Sequence, residues 1–497
     1  MADRKPKTAS QPRRHVGTDA RRVSSALSAL PRFKRKVVMG LSLLLIIGYV
    51  AKLVDTRYPW LWAYLLDQIR PQTVQASAGP THVLFTFVDH FEPHDQATMD
   101  RWMSAYPQMA ARHRDADGRF PQHSWFWHFS YADGFETLSY LKQLAELSYQ
   151  GFGEVELHLH HGPDSEESFL ELMRKRLQLS RWTGSMVTAE TRPQTHFGFI
   201  HGLWALDNSR GGKTCGVNNE LTLLARLGCY ADFTHPSWGP MHPRMVNRLY
   251  YATDDPMRPK SYDRGPVMQV GRLPIGDLLI FEGPSVVRLR GIKPVYDHGD
   301  VTQVDLPTSE RVDAWVRTGI HVEGRPEWVF IKVYTHGAIA RDHEAVLGRW
   351  SDRMHEYLEG HYNDGERYVL HYVTAREAYN IAKAAEVGKS GDPNAFRDFV
   401  IPPYANRTLI ASVPYELISA DEEKLWVRLL TPPSSRVSMR LHARVVDVSG
   451  DASDIVIEPT DEDTGLTLAT TGEGIVTFEY ERRGINQQVA HRADGTR

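Results

Sequence analysis

Between residue 81 and about residue 400 the chain alternates short apolar runs with segments of helical periodicity. Eight runs have the length and composition of buried strands. They span residues 82–89, 123–129, 154–160, 195–201, 229–234, 278–282, 329–336 and 367–373. Apolar residues recur at helical spacing between several of them, and this alternation is typical of an α/β fold. The pattern predicts a mainly parallel sheet, either open or closed into a barrel.

Capping signals predict where two of the helices begin. Asp164 is followed three residues later by Glu167, and Thr374 is followed by Glu377 at the same spacing. An acceptor side chain with Glu three positions on is the capping-box pattern of a helix N-terminus. Gly388 is expected to end the second helix, because glycine readily adopts the left-handed conformation found after a helix.

The pattern changes at both ends of this region. After residue 400 the apolar runs shorten and alternate with polar residues, which predicts a small all-β module of β-sandwich type over residues 401–490. Residues 1–36 carry eleven Lys and Arg against two acids. This segment is predicted to be a basic cytoplasmic tail, and residues 55–80 a linker to the region at 81–400.

Residues 37–54 form an apolar run, which at about 1.5 Å per residue makes a helix of about 27 Å. The run predicts a transmembrane helix. With the basic flank held inside, the chain after residue 54 would lie outside the cytoplasm, in the periplasm of a Gram-negative cell. The alternative is a cleaved signal peptide, because Ala76-Ser77-Ala78 resembles a cleavage site.

Composition narrows the class of protein. The chain has 497 residues, 41% hydrophobic and 24% charged, as expected of a folded globular protein. Its net charge is −3, so with +9 on the tail the remainder carries −12. Such an acidic body is a poor partner for nucleic acid. The two cysteines, Cys215 and Cys229, are compatible with a disulfide or with two buried thiols, and so small a number argues against a thiolate metal site.

Candidate chemistry lies at the ends of two predicted strands. Asp89 ends the first apolar run, and His158 and His160 end the third. Alternate residues of a strand share a face, so one carboxylate and two imidazoles are expected to meet at the carboxyl edge of the sheet. Such a set suits a divalent transition ion, zinc above all, with positions left for water or substrate. We predict Asp89, His158 and His160 as metal ligands.

The segment Phe85-Thr-Phe-Val-Asp89 resembles the first motif of the polysaccharide deacetylase superfamily, Thr-Phe-Asp-Asp. The resemblance covers roughly residues 81–390. It implies a distorted (β/α) barrel of about seven or eight strands, with Asp89 as a metal ligand. The position of the family's general base is occupied by Val88, which cannot accept a proton. The family's two metal-binding histidines are four residues apart, a spacing that His158 and His160 do not share.

Further segments are similar to a divergent branch of that superfamily associated with bacterial surface polysaccharides. They begin at His201, Cys215, Gly228 and Thr335. His336 resembles the family's late histidine, which protonates the leaving group, and we predict it as a general acid. Glu92, Asp207 and His90 are candidates for the vacant base role, with Asp207 preferred. Trp204, His201 and Trp127 are predicted to contact the sugar.

These observations predict a membrane-anchored, metal-dependent hydrolase that removes acetyl groups from a polysaccharide. Its expected partners are the polysaccharide, the membrane and polysaccharide-assembly proteins. Two alternatives stay open. One is glycoside hydrolysis, which needs two carboxylates about 5 to 10 Å apart and for which Glu92, Asp207 and Glu220 are available. The other is a catalytically silent barrel that binds polysaccharide, as Val88 suggests.

Overall fold

The structure is a computed structural model that describes residues 32–69, 79–128, 135–162, 164–237, 239–461 and 463–481. The chain divides into two compact units, residues 1–59 and residues 60–497. The described part of the first unit is dominated by one long helix, α1 (Arg32–Arg57). The second unit contains the sheets found in the described residues.

Eleven strands lie in the described part of the region between residues 81 and 372. In chain order they are β1 (Thr81–Phe91), β2 (His123–His128), β3 (Gly153–Leu159), β4 (Phe197–His201), β5 (Cys229–Asp232), β6 (Leu249–Ala252), β7 (Leu278–Phe281), β8 (Val286–Arg290), β9 (Lys293–Asp297), β10 (Trp328–Thr335) and β11 (Tyr368–Tyr372). β8 and β9 pair with each other, and the remaining nine form one sheet.

The helices of the second unit connect these strands and flank the sheet. In chain order they are α2 (Trp60–Ile69), α3 (Gln96–Ala110), α4 (Phe135–Tyr149), α5 (Glu166–Arg181), α6 (Glu220–Arg226), α7 (Ser309–Arg317), α8 (His343–Val346), α9 (Arg349–His361) and α10 (Ala375–Glu386). The capping box predicted at Thr374 and Glu377 begins α10. α5 begins one residue later than predicted, because Ser165 is its N-cap and pairs with Ser168.

The order of the nine-stranded sheet is β10-β1-β2-β3-β4-β5-β7-β6, with β11 added beside the first half of β1. Eight strands run parallel, and β6 runs antiparallel to β7. β1 pairs in parallel with β10, β11 and β2, and the carboxyl ends of parallel strands lie at the same edge of the sheet.

The two faces of this sheet pack into different cores. Phe85 and Phe87 of β1 belong to a core that includes residues of α3, α4 and α5, and this side is called the α3 face. Leu84 and Val88 belong to a core that includes Ile381 of α10, and this side is called the α10 face. The alternation of side chains along a strand thus divides β1 residue by residue between two environments.

The predicted barrel fold is wrong in two respects. Within the described residues the ladder has two ends, β10 and β6, and no regular pairing joins them. Irregular segments make single hydrogen bonds with the two end strands. Met268 N donates to Leu249 O of β6 at 2.8 Å, and Phe330 N of β10 donates to Ile320 O at 2.8 Å. The chain at 253–277 contains four prolines and three glycines, which interrupt a strand ladder. The antiparallel β6 also departs from the predicted pattern.

The predicted transmembrane helix at 37–54 is also wrong. Among the described residues, none of the helices combines the length and the apolar character needed to cross a membrane. α1 is 26 residues long, but only the fifteen residues at 37–51 separate Lys36 from Lys52. They make about 22 Å of helix, whereas a hydrocarbon core is about 30 Å thick. The single-pass topology and the extracytoplasmic placement depended on this helix and are corrected with it.

The C-terminal region contains two four-stranded antiparallel sheets in the described residues, with orders β12-β15-β18-β17 and β13-β14-β19-β16. The strands are β12 (Leu409–Ala411), β13 (Tyr415–Ala420), β14 (Lys424–Leu429), β15 (Arg436–Leu441), β16 (Arg444–Gly450), β17 (Ala452–Pro459), β18 (Thr464–Thr470) and β19 (Ile475–Glu481). The apolar sides of both sheets contribute to one core. The boundaries predicted at 81, 400 and 490 stay predictions.

Candidate metal centre

Strand register brings histidines together at the carboxyl edge of the α10 face. His90 of β1 is level with Phe126 of β2, which belongs to the core of that face. Phe126 is level with Glu156 of β3, and His128 with His158. His90, His128 and His158 therefore share one side of the sheet. Their ring centroids confirm it, at 4.8 Å from His90 to His158 and 5.4 Å from His128 to His158.

Glu92 lies at the centre of this group and contacts two imidazoles through one oxygen. Its Oε1 lies 3.0 Å from His158 Nε2 and 2.7 Å from His160 Nε2. The other nitrogen of His158, Nδ1, is 2.8 Å from the carbonyl oxygen of Ile200, which fixes the ring. His158 is fully buried, whereas the side chains of Glu92 and His160 are 25% and 35% exposed. The group is thus open to solvent on one side.

The electrostatics favour a charged Glu92 carboxylate and neutral imidazoles at His90 and His128. Burial alone would raise the pKa of Glu92, but hydrogen bonds with His158 and His160 outweigh it and hold this pKa well below its usual range. Burial and the adjacent His158 lower the pKa of His128 to about 3. Burial, with His336 nearby, lowers the pKa of His90 well below its usual value.

Asp89, predicted as a metal ligand, lies on the opposite side of the sheet. It is level with Trp125, which belongs to the core of the α3 face. Its carboxylate is buried and is 2.9 Å from His123 Nε2, and it accepts the N–H of Gly337 at 2.7 Å. The structure therefore brings His158 and His160 together, but with Glu92 in the place predicted for Asp89.

His336 follows β10 and lies against the same group. Its ring centroid is 4.6 Å from that of His90, and the side chain is only partly buried. Burial lowers the pKa of His336. The position agrees with a role in proton transfer, which stays a prediction.

Asp207, the preferred base, contacts a different part of the molecule. Its Oδ2 accepts the N–H of Ser261 at 2.6 Å, and its own N–H donates to Glu220. Burial raises the pKa of Asp207 to about 8. These contacts tie Asp207 to Ser261 and to Glu220 at the start of α6, rather than to Glu92 or His158.

The residues predicted to contact sugar differ in accessibility. Trp127 is buried between Phe91 and Tyr140 on the α3 face, so it offers no exposed ring. His201 is also fully buried. Trp204 is only partly buried and follows β4, which leaves it as the accessible candidate of the three.

Several groupings of His, Cys, Asp and Glu in the described residues could hold a metal ion. Glu92, His158 and His160 form one. His82, His371 and Asp392 form another grouping near the start of β1. In this grouping the two histidines contact each other directly, with 2.8 Å between His82 Nδ1 and His371 Nε2. The remaining grouping consists of His161, His201, Cys215 and Glu220.

No protein-family model matches this chain, and no curated protein matches it either. The resemblance to polysaccharide deacetylases therefore rests only on the sequence segments described above.

The sequence contained one signal for Glu92 as a ligand. His90 and Glu92 are two residues apart, as are His158 and His160, so each pair points to the same side if the chain stays extended past the end of its strand. Nothing in the separate runs showed which face of β1 is on the same side as His158, because that depends on the pairing with β2.

Proposed function

We propose that this chain is a metal-dependent hydrolase, with a divalent ion, most simply Zn²⁺, bound by Glu92, His158 and His160. The observation that carries the proposal is the contact of Glu92 Oε1 with two imidazole nitrogens, at 3.0 and 2.7 Å, on the open edge of a parallel sheet. Functional sites of α/β proteins commonly form at this edge.

The donor set fits such an ion. Two neutral imidazoles and a carboxylate are the ligands of several catalytic zinc sites, which keep another position for water or substrate. The hydrogen bond between His158 and Ile200 O is the kind of contact that orients a metal-binding histidine. A bound divalent ion would supply Lewis-acid polarisation of a substrate carbonyl and a lower pKa for water.

We assign the proton transfer to His336. Hydrolysis of an acetylated sugar breaks the bond between the acyl carbon and the sugar nitrogen or oxygen, forms a bond from that carbon to a water oxygen, and releases acetate. The sugar atom takes up a proton, which His336 can donate from its partly exposed position beside His90. The water loses two protons as it becomes a carboxylate oxygen of acetate: one restores the proton of His336, and the other leaves to solvent. Val88 is buried and carries no group that could take part.

The choice of an acetylated polysaccharide as substrate rests on the resemblance of residues 81–390. Trp204 supports it as a partly exposed aromatic ring near the carboxyl edge, where a sugar ring can pack. Glycoside hydrolysis is less well supported. Glu220 contacts His161 on the α3 face, whereas Glu92 contacts His158 on the α10 face. The two carboxylates therefore lie on opposite sides of the sheet and do not flank one glycosidic bond.

The ligand assignment is tested by zinc analysis of the full-length protein and of two matched variants. Glu92→Gln should lower bound zinc by one equivalent, whereas Asp89→Asn removes a carboxylate from the other face of β1 and should leave zinc unchanged. Circular dichroism checks that both variants fold. Loss of zinc from Asp89→Asn with full retention by Glu92→Gln would overturn the assignment.

The reaction is tested on acetylated glucans and N-acetylglucosamine oligomers, measuring acetate and new reducing ends together. Acetate without new reducing ends, abolished by Glu92→Gln and reduced by His336→Ala, supports the proposal. New reducing ends without acetate would show a glycoside hydrolase. A zinc-loaded protein that releases neither product from these substrates would contradict the deacetylase proposal.

A further inference from the structure

His161 and His201 lie on the α3 face, away from the open site. His201 is level with Leu159 of β3, whose side chain belongs to the core of the α3 face, and His161 is two residues beyond Leu159. The ring of His161 contacts Phe169 of α5, in the same core. The two candidate groups therefore occupy opposite sides of the ends of β3 and β4.

Glu220 and Cys215 complete this second group. Glu220 is the first residue of α6, and its Oε1 lies 2.8 Å from His161 Nε2 and 3.5 Å from His201 Nε2. Cys215 Sγ lies 3.7 Å from the other oxygen of Glu220. One ligand atom from each of the four residues lies within 4.8 Å of every other.

The unused nitrogen of each histidine is already held by a hydrogen bond. His161 Nδ1 is 2.7 Å from Asp164 Oδ2, and His201 Nδ1 is 2.7 Å from the carbonyl oxygen of Gly202. Metal-binding histidines nearly always have such a carboxylate or carbonyl partner, which turns Nε2 toward the ion. The N–H of Val217 also donates to Cys215 Sγ at 3.4 Å, as expected beside a thiolate ligand.

One atom of the group points to a ligand. His201 is completely buried, and its Nε2 faces Glu220 without making a hydrogen bond to any described residue. A buried polar atom normally has a partner, because leaving it unpaired costs free energy. A cation between His201, His161, Cys215 and Glu220 would supply that partner.

We infer that His161, His201, Cys215 and Glu220 form a second, closed zinc site with a structural role. All four side chains are almost inaccessible, at 1% exposure or less for the two histidines and Glu220, and 0% for Cys215 as a residue. Four protein ligands and no open position are typical of structural zinc, whereas the open site has three. One thiolate and one carboxylate neutralise the charge of Zn²⁺, which suits a buried position.

The site would join three parts of the chain. His161 and His201 lie at the ends of β3 and β4, while Cys215 and Glu220 belong to the loop and helix that follow. A zinc ion there would hold the segment 202–219, which carries Trp204 and Asp207, against the end of the sheet. Binding releases the proton of the Cys215 thiol to solvent. This inference does not depend on the proposed hydrolase activity.

The test replaces zinc by Co²⁺ in the full-length protein and follows its absorption spectrum. A thiolate ligand gives a sulfur-to-cobalt charge-transfer band in the near ultraviolet, which a site made only of His and Glu lacks. We expect this band in the wild type and in Glu92→Gln, and its loss in Cys215→Ser. Cys229→Ser is the matched control, because Cys229 is the other buried cysteine and lies in β5.

Zinc counts provide the second measurement. The wild type should hold two equivalents of zinc. Cys215→Ser should hold one equivalent, bound at the open site with Glu92, and Glu92→Gln should hold one equivalent, bound at the closed site with Cys215. Chelation should lower the melting temperature of Glu92→Gln, and re-addition of zinc alone should restore it. A wild type without the charge-transfer band, or a Cys215→Ser variant with an unchanged zinc count, would overturn the second site without affecting the first.

Discussion

Replacement of Arg376 should reveal how strongly β3, the strand that carries His158, depends on α10. Arg376 of α10 and Glu154 of β3 form a buried ion pair, with the two side chains 1% and 0% exposed. The guanidinium donates to both carboxylate oxygens, from Nε at 3.1 Å to each oxygen and from a terminal nitrogen at 2.8 Å. Both charges of this pair are therefore removed from water, while the same guanidinium also donates to Asp398 at 2.8 Å, whose side chain is 49% exposed.

We expect Arg376→Met to lower the free energy of unfolding by about 3–5 kcal/mol, the usual cost of leaving one charge of a buried pair without its partner. Methionine keeps most of the volume, so the loss comes mainly from Glu154. Among the described residues, Glu154 then keeps a hydrogen bond only from the hydroxyl of Thr374, at 2.7 Å. The carbonyl of Ile401 also loses a bond from Arg376, but Asn380 still donates to it at 2.8 Å.

Urea unfolding at pH 7, followed by tryptophan fluorescence, measures this change. Arg367→Met is the matched control, because Arg367 forms an ion pair with Asp364 while 79% exposed and should cost less than 1 kcal/mol. The double variant Arg376→Met/Glu154→Gln should recover part of the loss, since it removes the unpaired charge. Equal small losses for Arg376→Met and Arg367→Met would refute the assignment of the cost to a buried charge.

Two further changes are predicted from single contacts. Burial raises the pKa of Asp300 to about 7, above its unfolded value of about 4, so the stability that its carboxyl contributes is present below pH 4 and lost as pH rises through 7. Asp300→Asn should therefore be more stable than the wild type at pH 8 by up to about 4 kcal/mol, since each of the three pKa units corresponds to about 1.4 kcal/mol. The two proteins should be equally stable at pH 4, and unfolding curves showing the reverse order would contradict this sign. A Cβ at Gly202 would lie 2.4 Å from His160 Cγ, so Gly202→Ala should push His160 away from Glu92. Zinc affinity at the open site, measured by competition with a chelator, should then fall at least about 10-fold. Unchanged affinity would show that His160 is not a ligand.

Local signals in the sequence predicted local structure well. The apolar run at 154–160 is β3 (Gly153–Leu159), and the run at 329–336 is β10 (Trp328–Thr335). The pair Thr374 and Glu377 begins α10. Each depends on residues a few positions apart, whose periodicity and capping chemistry act within one element. The run at 37–54 misled the same reasoning, because its apolar part between Lys36 and Lys52 is too short.

Strand pairing decided the composition of the site. Sequence alternation places Asp89 on one face of β1 and His90 and Glu92 on the other, but it does not show which face joins His158. A shift of one residue in register exchanges the faces. The observed register puts His90 level with Phe126 and Phe126 level with Glu156, and this selects Glu92.

The sequence by itself therefore determined the strands, the capped helix and the histidines at the strand ends, because these follow from periods of two and 3.6 residues along one segment. Only the tertiary structure decided that Glu92 replaces Asp89 beside His158, and that Cys215 and Glu220 meet His161 and His201 on the opposite face. Glu92 and His158 are 66 positions apart, and His161 and Glu220 are 59 apart. Such contacts are set by the packing of the whole sheet, and no local pattern contains that information.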